Sequence, residues 1–152
     1  MKLSIISFFG LLVVVLMLVP NVLYALYHRD QKNRCNRKWV ILLEQIGRYA
    51  CMTLMILPLG IGEFGFPSVA NFLFYLAANG ILLLTYWAGW FQYWHQPDRE
   101  HALPLAVVPV CIFLFSGLAL HHWLLLVAAV LFGIGHILVT LENHKENNPS
   151  GQ

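Results

Sequence analysis

The sequence predicts an all-α integral membrane protein, a bundle of five transmembrane helices. Of its 152 residues, 59% are hydrophobic and 11% are charged, whereas a soluble domain has about 25% charged residues. This composition excludes a water-soluble monomer and a disordered chain. The apolar runs are continuous rather than alternating, which disfavours a β-barrel. Helices are then the remaining structures in which every backbone N–H and C=O group in lipid has a hydrogen-bond partner.

Five segments have the length of a membrane span, which is about 20 apolar residues. The first resembles a signal peptide, because Lys2 precedes an apolar run. However, no A-x-A cleavage pattern follows, and the run is longer than the roughly 15 residues of a signal core. We therefore expect a helix here too. The predicted helices cover about residues 3–27, 39–62, 68–94, 103–120 and 122–141.

The last two helices come from one almost uncharged stretch, residues 103–141. As a single helix it would be about 58 Å long, nearly twice the thickness of the hydrocarbon core. We expect it to turn between residues 116 and 122, where Gly117 loosens the helix and two adjacent histidines supply polar groups. Residues 1–141 then form a single transmembrane domain, and residues 142–152 form a polar tail.

The lysines and arginines predict the orientation. Five of the nine lie between the first two helices, and Arg99 and Lys145 fall on the same side of the predicted membrane. The opposite side has Lys2 alone. Since cytoplasmic loops are enriched in Lys and Arg, we expect the N-terminus outside and the C-terminus in the cytoplasm. A bacterial inner membrane or a plasma membrane is the expected location. A basic run between two apolar spans is a cytoplasmic loop, so we expect no nucleic-acid partner.

Polar side chains fall at a similar depth on four of the helices, toward the cytoplasmic side. Such groups are costly inside a membrane and usually face the interior of the bundle. Glu44 and Arg48 are four residues apart, in the favourable order for an ion pair. The other candidates for a shared site are Asn21, Tyr24, Tyr86, Trp90 and His136.

This pattern has two interpretations. In the first, the polar groups lie near helix ends, and the pair of Glu44 and Arg48 only fixes the packing. In the second, they form a polar pocket open to the cytoplasm. Arg48 would be its cation, Glu44 its acid, and His136 a proton carrier, since histidine titrates near physiological pH. A partly buried arginine suits a phosphate or carboxylate, so the ligand would be a lipid head group or a small organic anion.

The chain contains none of the HExxH, P-loop, GxSxG or GxGxxG motifs. Its three cysteines form no CxxC pair. The depths of His28 and His136 would allow a shared haem, but we expect neither a cofactor nor a metal ion. We also expect no catalytic residue.

We therefore expect a non-enzymatic accessory or structural membrane component, whose surroundings are the lipid bilayer. One alternative is a small transporter or binding component, which would need a protein partner or a second copy because 152 residues line little of a path alone. The other alternative is an intramembrane enzyme acting on a lipid-like substrate.

Overall fold

The computed structural model describes residues 7–28, 35–57, 59, 66 and 68–144. All of its regular structure within these residues is helical, and the predicted number of five helices is confirmed. All five helices are long enough and apolar enough to cross a membrane. They are α1 (Phe8–Tyr27), α2 (Lys38–Ile56), α3 (Val69–His95), α4 (Arg99–Ala119) and α5 (Trp123–Asn143).

The helices form a closed ring in which each packs against two neighbours, in the order α1, α2, α5, α4, α3 and back to α1. The α2–α5 contact is the most extensive, α1 has the smallest contacts with its neighbours, and α2 also touches α4 across the ring. We call the end that carries Arg37, Lys38 and Arg99 the basic end. There α1, α3 and α5 finish, and α2 and α4 begin. The other end is called the opposite end.

Two helix ends differ from the sequence prediction. α2 ends at Ile56 rather than near residue 62. The next residue, Leu57, precedes Pro58, and a residue before proline avoids the helical conformation. α4 begins at Arg99 rather than near residue 103, because the Asp98 side chain accepts the backbone N–H of His101 at 3.0 Å and caps the helix.

Two predicted segments are only partly described. The predicted start of the first helix includes residues 3–6, which lie outside the described residues. α1 itself begins after Ser7, whose hydroxyl accepts the backbone N–H of Gly10. The predicted polar tail starts inside α5, which continues to Asn143. The part of the tail from residue 145 onward lies outside the described residues.

The turn between α4 and α5 lies where the sequence predicts one, but Gly117 does not loosen a helix there. It lies inside α4, and a Cβ on it would be 2.9 Å from the side chain of Leu126 in α5. The turn is a Schellman motif, in which the N–H of His122 binds the carbonyl of Gly117 at 2.8 Å. His121 supplies its left-handed residue, with φ 54°. Gly117 therefore allows the two helices to pack closely.

Candidate functional site

The Glu44 carboxylate is the centre of a polar cluster in the half of the bundle toward the basic end. Its residue is only 2% exposed. Its Oε1 atom binds the Arg48 guanidinium and lies 3.1 Å from Nδ1 of His136 on α5. Its Oε2 atom accepts the amide of Gln45 at 3.1 Å. Both carboxylate oxygens therefore have partners within the chain. We call Glu44, Gln45, Arg48 and His136 the Glu44 cluster.

Two glycines bring α2 and α5 close enough for this contact. A Cβ on Gly47 would lie 2.7 Å from the Cα of Phe132, and one on Gly135 would lie 2.8 Å from the Cα of Glu44. Any larger residue would push the helices apart. Gly135 directly precedes His136, whose ring stacks on Phe132 at a centroid distance of 4.8 Å. This close packing positions the imidazole beside the carboxylate.

Arg48 is the most exposed charged group of the cluster, with 36% of its side chain accessible. It lies about 15 Å along α2 at a 1.5 Å rise per residue. Side chains lean toward the N-terminus of their helix, so the guanidinium reaches back one turn to Glu44. Among the described residues Glu44 is its only hydrogen-bond partner. Most of its five N–H donors therefore remain available.

Asn21, Tyr24, Tyr86 and Trp90 form a second group, which joins α1 to α3. The Asn21 amide donates to the Tyr86 hydroxyl at 2.6 Å. The Tyr24 ring lies 5.1 Å from the Trp90 ring, and Trp90 meets Tyr86 edge to face at 6.3 Å. The Trp90 indole is buried beside the Tyr86 ring. We call these four residues the Tyr86 group.

The structure thus places the seven predicted site residues in two groups at the same depth of the bundle. The sequence reasoning did not assign Gln45 to the site, nor the glycines that bring α2 and α5 together. A signal existed, because each glycine directly precedes a charged or titratable member of the cluster, Arg48 or His136.

A further set of contacts at the basic end was not foreseen. The Arg37 Nε atom lies 3.0 Å from Glu142, and the Cys35 thiol donates to the same carboxylate at 2.9 Å. The Cys35 backbone N–H binds the Asn143 side chain at 3.1 Å. Burial and the Glu142 carboxylate raise the pKa of the Cys35 thiol. These contacts attach the start of α2 to the end of α5, and the thiol is a poor nucleophile.

The half toward the opposite end contains a smaller and neutral cluster. The Ser116 hydroxyl donates to Oδ1 of Asn79 at 3.3 Å, and the Asn79 amide donates to the Tyr75 carbonyl at 3.0 Å. All three residues are at most 1% exposed. The cluster joins α3 to α4 and contains no ionised group. We call it the Asn79 cluster.

No three His, Cys, Asp or Glu side chains of the described segments converge as a metal site requires. Compared with known protein families, curated proteins and solved structures, the chain matches none of them.

Proposed function

We propose that the protein is a non-enzymatic, multi-pass component of a cell membrane, and that the Glu44 cluster locks α2 to α5. The observation that carries this proposal is that Glu44 has partners on both carboxylate oxygens, inside a contact so close that only glycines fit. A general acid or base must exchange a proton with its substrate. A buried carboxylate with both oxygens occupied by its own chain is poorly placed for that role.

The first alternative is a small binding or transport component. The partial exposure of Arg48 favours it, because a guanidinium with unused donors attracts an oxyanion. The second alternative, an intramembrane enzyme acting on a lipid-like substrate, has less support. It requires a reactive group that faces a substrate, whereas the acid of this cluster is 2% exposed.

We further propose that the basic end faces the cytoplasm of a bacterial cell or the inner side of a plasma membrane. The N-terminus is then outside and the C-terminus inside. The support is the concentration of Lys and Arg at this end. The lipid bilayer is the main partner, and a second membrane protein or a second copy of the chain would add to it. No nucleic-acid partner is proposed.

A double-mutant cycle tests the lock. Arg48→Ala leaves the Glu44 carboxylate short of its cation, and Glu44→Ala leaves the guanidinium short of its anion. We expect each to lower the free energy of unfolding by about 3 kcal/mol, the low end for broken buried pairs because Arg48 is a third exposed. The double variant should lose less than the sum of the single variants, by about 1 kcal/mol or more. Thermal or denaturant unfolding in detergent measures all three.

The matched control is the pair of Arg37 and Glu142, in which Arg37 is 69% exposed. We expect this pair to couple by no more than about 1 kcal/mol, as exposed ion pairs do. Equal coupling in the two cycles, or unchanged stability in the Glu44 and Arg48 variants, would contradict the structural role of the cluster.

The orientation has a separate test. A membrane-impermeant thiol reagent added to intact cells should label a cysteine placed at Ser68, which is exposed before α3. It should not label one placed at Gln96, which is exposed at the basic end. The reverse labelling would overturn the orientation and leave the lock unaffected.

A further inference from the structure

A proline inside α1 interrupts the hydrogen bonds of that helix. An α-helix is held by bonds from each backbone N–H to the carbonyl four residues earlier. Pro20 has no N–H, so the Leu16 carbonyl loses its partner within α1, although the helix continues to Tyr27. Sharp bends in helices occur mostly at such positions. The sequence therefore makes α1 weakest at Pro20.

A side chain of α3 replaces the missing bond. The Trp87 indole N–H donates to the Leu16 carbonyl at 3.1 Å. In lipid a backbone carbonyl without a partner is costly, and a neighbouring helix is one of the few sources of a donor. Trp87 is 43% exposed, so its indole lies at the edge of the contact between α1 and α3. This bond attaches α1 to α3 at the place where α1 is weakest.

The same proline divides α1 into a packed part and a loosely packed part. None of residues 21–27 is buried. The buried residues of α1 all lie at or before the proline, and they are Gly10, Val13, Val14, Met17 and Pro20. Segments with few buried contacts open locally at a lower cost in free energy than the rest of a fold. We therefore expect residues 21–27 to open before the start of α1 does.

The two parts also contact different helices. Before the proline, α1 lies on α2, where Gly10 has the Met55 carbonyl at the place that a Cβ would occupy. After it, α1 contacts α3 through side chains. The Asn21 amide donates to the Tyr86 hydroxyl at 2.6 Å, and the Tyr24 ring packs against the aromatic rings of α3. The second part can therefore move without disturbing the backbone contact with α2.

We propose that Pro20 is a hinge, and that residues 21–28 form a flap that swings away from α3 while residues 8–19 stay on α2. Trp87 is the latch of this hinge, because its bond to α1 holds the helix against α3 beside the proline. The structure shows the closed position. The proposal goes beyond the lock between α2 and α5, since α1 contributes no residue to the Glu44 cluster.

The flap covers aromatic side chains on the inner face of α3. Asn21 and Tyr24 contact Tyr86 and Trp90, which are 2% and 9% exposed. When the flap opens, these two side chains lose that cover and face the bilayer. The ring is then open on one side, in the half that contains the Glu44 cluster. The hinge therefore provides lateral access to the charged half of the bundle.

The test is amide hydrogen exchange of the full-length protein in mild detergent, measured by mass spectrometry for residues 8–15 and 21–28. Trp87→Phe removes the latch bond and keeps an aromatic ring. We expect it to speed the exchange of residues 21–28 about fivefold, as the loss of one hydrogen bond does, and to leave residues 8–15 within about twofold. The matched control is Trp39→Phe on α2, where the tryptophan is 83% exposed. This control should change neither segment.

Pro20→Ala distinguishes a hinge from ordinary fraying of a helix end. Alanine supplies the N–H that the Leu16 carbonyl lacks, so this variant should slow the exchange of residues 21–28 about fivefold. Added to it, Trp87→Phe should change the exchange by less than about twofold, because the carbonyl then has a backbone partner. If Pro20→Ala does not fold, the comparison of Trp87→Phe with Trp39→Phe still decides the matter.

Three results would overturn the proposal. The first is an equal effect of Trp87→Phe in the presence and absence of Pro20→Ala. The second is an equal effect of Trp87→Phe and Trp39→Phe on the exchange of residues 21–28. The third is equal acceleration of residues 8–15 and 21–28 by Trp87→Phe, since α1 would then move as a whole.

Discussion

The two halves of the bundle bury polar groups by different means. Toward the basic end, the Glu44 cluster contains a carboxylate and a guanidinium, and the guanidinium keeps a third of its side chain accessible. Toward the opposite end, the Asn79 cluster is neutral and at most 1% exposed. An ionised group inside a membrane needs a counter-ion and a route to water. A neutral amide needs only a hydroxyl or carbonyl partner, and therefore tolerates complete burial.

The halves also differ in how tightly α1 is held. Toward the opposite end its backbone touches that of α2 at Gly10, whereas toward the basic end it contacts α3 through aromatic side chains such as Tyr24. Backbone contact leaves no room for another molecule. Side chains replace that contact in the half toward the basic end.

The largest expected effect is on the packing that holds the charged half together. Gly135→Ala places a Cβ 2.8 Å from the Glu44 backbone, so α2 and α5 must separate. We expect a loss of about 1–3 kcal/mol of unfolding free energy, as for other overpacked cores. Breaking the contact between Glu44 and His136 would add to this loss. Denaturant unfolding in detergent measures the change.

The control for this prediction is Gly80→Ala on α3, where a Cβ would have nothing within 4 Å. Alanine favours a helix over glycine, so this variant should be more stable by about 0.5–1 kcal/mol. If both variants were stabilised, α2 and α5 would not be as close as the structure places them.

The neutral half should be less sensitive. Ser116→Ala removes the donor to Oδ1 of Asn79 and leaves that buried oxygen without this partner. We expect a loss of about 0.6 kcal/mol, the mean for such bonds between membrane helices. If Ser116→Ala lowered the free energy of unfolding as much as Gly135→Ala does, the two halves would not differ in their sensitivity to substitution. The exposed Thr85, changed to Ala, is the control for removal of a hydroxyl outside the core, because its hydroxyl donates to the Ile81 carbonyl of its own helix.

Part of the site can be predicted from the sequence because some of its residues are close together along the chain. The four-residue spacing of Glu44 and Arg48 predicts their pairing, and the hydropathy pattern predicts the depth of His136. The bond between Glu44 and His136 depends on α5 lying next to α2 in the ring, and no local pattern determines that order. The Ser116 partner of Asn79 was missed for a similar reason, since Ser116 lies in the segment predicted to be a turn. The close approach of Gly10 to the Met55 carbonyl likewise depends on how α1 packs against α2, which no single position determines.

The smallest expected effect concerns the residues that cap helices at the two ends. Asp98 caps α4 at the basic end, and hydrogen bonds from His101 hold the pKa of this carboxyl below its ordinary 3.8. His122 caps α5 at the opposite end, where its Nδ1 accepts the Leu125 N–H at 3.3 Å. Burial lowers the pKa of His122 below its ordinary 6.5. Both side chains therefore cap their helices in the deprotonated form. Their ordinary pKa values differ, 3.8 for Asp98 and 6.5 for His122.

A group whose pKa is lower in the folded state stabilises the fold above its unfolded pKa, and this stabilisation is lost as the pH falls through the folded pKa. For His122 the loss starts below pH 6.5, where Asp98 is still ionised. We expect His122→Asn, which keeps a capping side chain that does not titrate, to flatten the fall in melting temperature between pH 6.5 and about 5. The exposed neighbour His121, changed to Asn, is the matched control, because asparagine tolerates its left-handed conformation. If the melting temperatures of the two variants show the same pH dependence, protonation of the buried His122 does not destabilise the opposite end.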